Sequence, residues 1–329
     1  MLLCDVFKTL NRREKSVVFG EMKLLKVTFS TFLLLLHIFH PAMAAGGEKA
    51  RQKCLEYSKF VFVNEVSPVL SATALQSNRV SKCGIVETPL IVGGQRVNEN
   101  EFPHMAAIGY PSNDFSKAYA FKCGGTVISE QFILTAAHCA YDRESGGPVV
   151  VKLGVIYIDD NRSNAQIINI ASFISHPLYK SSEKYYDIAL IRLKSFIRFD
   201  EHVRPACLST RFETWHKMIA IGFGKTNYVE DFGSLNLNKV LLSNVDQNTC
   251  KRTYQTFKQL KNGIIDSQFC AGEEEGNKDT CLVVLREPYC MYNIVGITSF
   301  GKFCGFASSY GVYTNVTSFI DFIESNVWP

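Results

Sequence analysis

Two short segments carry residue types suited to acid–base chemistry. Thr135-Ala136-Ala137-His138-Cys139 sets a histidine just after an apolar run and against a cysteine. Tyr186-Asp187-Ile188-Ala189-Leu190 sets an acid at the mouth of a buried-strand pattern. A buried aspartate bonded to a histidine Nδ1–H fixes the tautomer, stabilises the imidazolium and leaves Nε2 as a general base. Taken singly, each residue also fits a plainer role: His138 as a satisfied core histidine, Asp187 as a strand or turn cap. A histidine beside a cysteine also raises a metal site, but no CxxC or HxxxH spacing accompanies it. No metal and no cofactor are expected.

The elements that must hold these residues are short and β-branched. Thr126-Val127-Ile128, Phe132-Ile133-Leu134, Val149-Val150-Val151, Ala189-Leu190-Ile191 and Ile294-Val295-Gly296-Ile297 recur between turn residues, the spacing of an all-β barrel or sandwich. Val316, Phe319, Ile320, Ile323 and Val327 fall at helical spacing, which predicts a closing amphipathic helix. Of the 329 residues, 47% are hydrophobic and 20% charged, which excludes general disorder. The net charge of +4 is too small and too evenly spread to point to a nucleic-acid partner. The 11 cysteines point to an oxidising compartment.

Met22-Lys23, an apolar run through Thr31-Phe32-Leu33-Leu34-Leu35-Leu36 and the small residues of Ala42-Met43-Ala44 form the charged-apolar-small order of a secretory signal. His37, His40 and Pro41 interrupt the run and no charged stop-transfer cluster follows, so no stable membrane span is expected. Residues 1–44 read as an upstream extension plus signal, and cleavage after Ala44 removes Cys4, the odd cysteine. Residues 45–90 are mixed in charge and too poor in apolar residues for a core of their own, so they read as a pro-segment. Asn161-Arg162-Ser163 and Asn315-Val316-Thr317 match the glycosylation pattern.

From about residue 83 onward the ordered motifs resemble those of the chymotrypsin-like serine endopeptidases, and among them the snake-type insect zymogens of extracellular cascades. Ile91-Val92-Gly93-Gly94 resembles the N-terminus made by activation cleavage, here after Leu90. Thr135–Cys139 and Asp187–Leu190 resemble the catalytic histidine and aspartate motifs. Lys278-Asp279-Thr280-Cys281 resembles the floor of the specificity pocket, and Ser299-Phe300-Gly301 with Gly311-Val312-Tyr313 its walls. The resemblance implies a two-barrel fold with a C-terminal helix over residues 91–329. It implies His138 and Asp187 as catalytic residues, and substrate binding by Asp279, Ser299, Gly301 and Gly311. A pocket-floor carboxylate at Asp279 implies a trypsin-like preference for Arg or Lys. Protein substrates or cascade proteases are the implied partners. An activating enzyme would have to accept Leu90, which makes self-activation at a trypsin-like site an unfavourable route. The pro-segment lacks the cysteine set of a clip domain.

The resemblance also implies the bridges Cys123–Cys139, Cys250–Cys270, Cys281–Cys304 and, from the pro-segment, Cys83–Cys207. Cys54 and Cys290 are then paired only because they are left over; sequence by itself does not fix connectivity.

One departure outweighs the rest. Where the family continues after Asp279-Thr280-Cys281 with Gly-Asp-Ser-Gly-Gly-Pro, this chain runs straight into Leu282-Val283-Val284-Leu285. The nucleophile, the oxyanion donors and the aspartate expected to pair with the amino group of Ile91 all leave with that segment. A missing stretch of about seven residues would span up to ~23 Å when extended, so strain or a shifted strand is expected near residues 279–285. Two classes of function follow. One is an endopeptidase family member that has lost its catalytic segment through splicing or in the recorded gene. The other is a secreted pseudoprotease that acts by binding as a cofactor, decoy or regulator.

Overall fold

The computed structural model describes residues 46–66, 77–81, 95–160, 165–211, 216–223, 235–272, 282–286, 291–301 and 310–329. The chain between Gly46 and Pro329 clusters as one unit. It opens with α1 (Glu48–Tyr57), followed by the antiparallel pair β1 (Phe62–Val66) and β2 (Ser77–Ser81), and then a short strand, β3 (Gln95–Arg96).

Six strands then close into a barrel: β4 (Met105–Pro111), β5 (Tyr119–Val127), β6 (Phe132–Thr135), β7 (Val150–Leu153), β8 (Gln166–Ser175) and β9 (Ala189–Leu193), in the order β4-β5-β6-β9-β8-β7. Period-two alternation explains why β4 is buried on both faces. Ala106, Ile108 and Tyr110 fill the barrel interior, while Met105 and Ala107 face a second apolar layer. Gly125 on β5 has a steric reason to be glycine: a Cβ there would sit 2.7 Å from Ile133 Cγ2 and 3.0 Å from the Leu134 carbonyl oxygen.

The remaining strands form one sheet: β10 (Cys207–Leu208), β11 (Lys217–Gly222), β12 (Asn238–Val245), β13 (Gln268–Gly272), β14 (Leu282–Arg286), β15 (Tyr292–Phe300) and β16 (Gly311–Asn315). Its path runs β10-β15-β14-β11-β12-β13-β16, and an additional β15–β16 pairing brings it back on itself. β3 pairs with β12. β14 keeps both neighbours, and its pairing with β15 slips between Val283 and Val284, inside the stretch expected to shift. Leu134, Ile188 and Leu190 of the barrel share a core with Ile221, Ile294 and Ile297 of the sheet.

α2 (Gln247–Tyr254) starts at Asp246, whose carboxylate accepts the Thr249 N–H at 3.0 Å. The chain closes with a 3-10 turn, Val316–Phe319, and α3 (Ile320–Val327). All five residues that set the helical spacing, Val316, Phe319, Ile320, Ile323 and Val327, are buried. Asn315 is only 3% exposed and its Oδ1 accepts the Thr317 N–H, so the folded chain does not offer that sequon for glycosylation; Asn161 lies outside the described residues. Among the described residues no helix is long and apolar enough to cross a membrane.

The disulfides correct part of the expected pairing. Cys123–Cys139 and Cys250–Cys270 are present, with Cα separations of 6.2 and 5.6 Å. Cys207 pairs with Cys54, at a Cα separation of 5.0 Å, and not with Cys83. The pairing of Cys54 with Cys290 falls with it. The cause is α1: Tyr57 and Val61 pack against Cys207 and Met291, and this sets Cys54 over β10. Cys83, Cys281, Cys290 and Cys304 lie outside the described residues.

Candidate active site

His138 sits in a 3-10 turn, Ala137–Ala140, directly after β6. The turn is fixed at Cys139 in two ways. The Cys123–Cys139 bridge ties it to β5, and the Tyr110 hydroxyl donates to the Cys139 carbonyl at 2.5 Å. The imidazole is left 42% exposed.

Asp187 enters from the other side, one residue after Tyr186 and just before β9. It receives the backbone N–H of His138 on Oδ1 and His138 Nδ1 on Oδ2, both at 2.9 Å. Oδ2 also receives the Ser299 hydroxyl at 2.6 Å. The Thr314 hydroxyl donates to the Asp187 backbone carbonyl at 3.0 Å. β15 and β16 therefore grip the aspartate of the first barrel. The carboxyl is only 2% exposed. Burial pushes its pKa up, but the hydrogen bond and charge of His138 and the hydrogen bond of Ser299 outweigh burial and hold it below the usual carboxylate value. An ionised Asp187 accepts only, so the proton on His138 resides on Nδ1 and Nε2 is the free basic nitrogen.

The sequence reading placed His138 and Asp187, and the structure brings them together. Ser299 was expected as a backbone partner for substrate; its side chain is 7% exposed and is committed to Asp187. Thr314 was not singled out, and no local signal could have marked it, since its partner lies 127 residues away. Gly301 is exposed, with no atom within 4 Å of a Cβ built on it. A Cβ on Gly311 would meet the Tyr313 hydroxyl oxygen at 3.0 Å. Leu90, Ile91 and Asp279 lie outside the described residues. Cys123, His138 and Cys139 bring ligand-type atoms within 4.8 Å of one another, but both sulfurs are consumed in the disulfide and cannot act as thiolate ligands.

Comparison with known proteins agrees with this geometry. Residues 91–323 match the family described as Trypsin. The chain is 40% identical over 283 residues to "Serine protease snk" of Drosophila melanogaster, covering 83% of this chain and 63% of that protein. It is 36% identical over 254 residues to "Serine protease Hayan" of the same species, covering 73% of this chain and 39% of that protein. It is 35% identical over 271 residues to "CLIP domain-containing serine protease B4" of Anopheles gambiae, covering 75% and 72%. The chain thus spans less than two thirds of the length of the first two of these relatives. With a closed six-strand barrel, a second sheet, a C-terminal helix and a buried aspartate bonded to a half-exposed histidine, the chain belongs to the trypsin family of serine proteases.

Proposed function

We propose that this chain is a secreted member of the family, built for cleavage of protein substrates after Arg or Lys but without endopeptidase activity in the sequence it carries. The observation that carries this reading is the placement of Ser299. Its hydroxyl and His138 Nδ1 bond the same oxygen, Asp187 Oδ2. Ser299 therefore lies on the Nδ1 side of the imidazole, away from the basic Nε2. No Gly-x-Ser-x-Gly follows Cys281 to supply another hydroxyl. Removal of the nucleophile alone costs on the order of a million-fold in turnover in this type of mechanism. Loss of an oxyanion donor costs roughly a hundred- to thousand-fold when it acts alone.

In this reading Asp279 sets the preference, with Gly301 and Gly311 leaving the pocket deep. Cleavage after Leu90 by a Leu-accepting protease frees Ile91. The test compares the chain cleaved there with a version carrying Gly-Asp-Ser-Gly-Gly-Pro and its preceding residue after Cys281, both on Arg and Lys ester substrates. We expect turnover only in the second. Turnover of the first, abolished by His138→Ala, would reveal another nucleophile.

A second reading has the chain acting by binding, as a cofactor, decoy or regulator of cascade proteases. Tyr141 favours it: three residues past His138 in the chain, it stands 68% exposed and offers an apolar surface to a partner. Genomic sequence at the Cys281 codon separates the two. An adjacent coding segment for the missing residues indicates an active sister form, and uninterrupted coding sequence supports action by binding.

A further inference from the structure

Asp187 follows a residue of unusual backbone conformation. Tyr186 has φ 55°, in the left-handed region where a bulky side chain is rarely found. The next residue, Asp187, is the centre of a tight three-residue turn in which the Ile188 N–H donates to the Tyr186 carbonyl at 2.8 Å. Nothing in the chemistry of tyrosine favours that conformation, so the surroundings must impose it. The Tyr186 ring lies flat on the imidazole of His176, with centroids 5.2 Å apart and planes 8° apart.

His176 is itself held from three directions. Its N–H donates to the Ile188 carbonyl at 3.0 Å, and its Nδ1 accepts the Leu178 N–H at 3.2 Å. Phe319 and Phe322, from the closing turn and α3, meet the ring edge-on at 5.2 and 5.0 Å. The end of β8, the residue ahead of Asp187 and the C-terminal helix thus converge on one imidazole.

We propose that His176 is a positioning residue for the His138–Asp187 pair. By stacking on Tyr186 it keeps residue 186 left-handed, and that backbone conformation aims the Asp187 carboxylate at the backbone N–H and Nδ1 of His138. The proposal takes His138 and Asp187 as the family's base and orienter but does not require turnover. Its failure is therefore distinct from failure of the functional reading above.

The test uses the full chain as written, with two readouts: the NMR signal of the His138 Nδ1 proton, and hydrogen exchange at the His138 amide, which bonds Asp187 Oδ1. His176→Asn keeps an acceptor for the Leu178 N–H and removes the ring. We expect it to lose the hydrogen-bonded Nδ1 signal and to speed exchange at the His138 amide about tenfold, while amides in β9 stay protected. His176→Phe keeps the ring and should leave both readouts as in the parent. Should His176→Asn not fold, Phe322→Ala strips one wall from the imidazole and should speed the same amide roughly two- to threefold. Unchanged exchange in the folded His176→Asn or Phe322→Ala chain, an equal loss in His176→Phe, or loss of protection throughout β9 would overturn the proposal.

Discussion

His104 shows how much a single neutral ring can control. It is 1% exposed, and its Nε2 is buried with no hydrogen-bond partner among the described residues. Burial first, and the neighbouring Arg204 charge second, lower its pKa to about 3. In the unfolded chain the same ring titrates near 6.5. The folded form therefore refuses a proton that the unfolded form accepts. Its contribution to stability is whole above about pH 6.5 and erodes as pH falls towards 3, by roughly 1.4 kcal/mol for each pH unit in that window. His104→Phe keeps a ring among Phe102 and Tyr292, which flank His104. It should flatten the acid limb of a pH–stability curve from urea unfolding while leaving stability at neutral pH equal or higher. An unchanged acid limb would place the titration elsewhere.

Among the elements, α1 is one that sequence patterning hides. Half of its ten residues, EKARQKCLEY, are charged, and only Ala50 and Tyr57 are buried. A helix this short is marginal alone and gains its stability by docking. Tyr57 donates to Glu130 at 2.9 Å and packs edge-on against Phe199, and Cys54 closes the bridge to Cys207. The matching prediction is direct. Proteolysis without reductant, followed by mass spectrometry, should return a Cys54 peptide joined to a Cys207 peptide; a Cys83–Cys207 pair would contradict it. The strands around 132–134, 189–191 and 294–297 were legible because unbroken apolar runs buried on both faces look alike in any context. β4 was not, since Met-Ala-Ala-Ile-Gly-Tyr-Pro carries little β-branching and is held by its neighbours. His138 and Asp187 were legible from their flanking residues. The Ser299 side-chain contact was not, because 112 residues separate it from Asp187 and only the joining of barrel and sheet brings them together.

For the molecule as a whole, a buried ion pair links the stretch after β3 to the second sheet. Lys239 Nζ lies 2.5 Å from Glu101 Oε1, with side chains 5% and 1% exposed. Glu101 Oε2 accepts the Asn98 N–H at 3.0 Å, and Lys239 stands opposite Gln95 in the β3–β12 pairing. Removing one partner strands the other charge, so Lys239→Met should cost roughly 3–5 kcal/mol in urea unfolding, and adding Glu101→Leu should recover most of it. A single variant as stable as the parent would show that the pair carries no such weight.

The docking of α1 on the other end of the chain has a consequence for biosynthesis. The Ala50 N–H bonds Glu324 Oε1 across 274 residues, and Lys49 Nζ reaches the Trp328 carbonyl across 279. Translation supplies these partners in the wrong order for α1. At roughly 5–20 residues per second, the helix waits on the order of ten seconds to a minute for its last contacts. During that interval the first barrel, complete by Leu193, can close on the ribosome, while Cys54 stays a free thiol open to the wrong partner until Cys207 emerges. A disulfide isomerase or a chaperone acting on the nascent chain would therefore find its earliest task at the segment that finishes folding last.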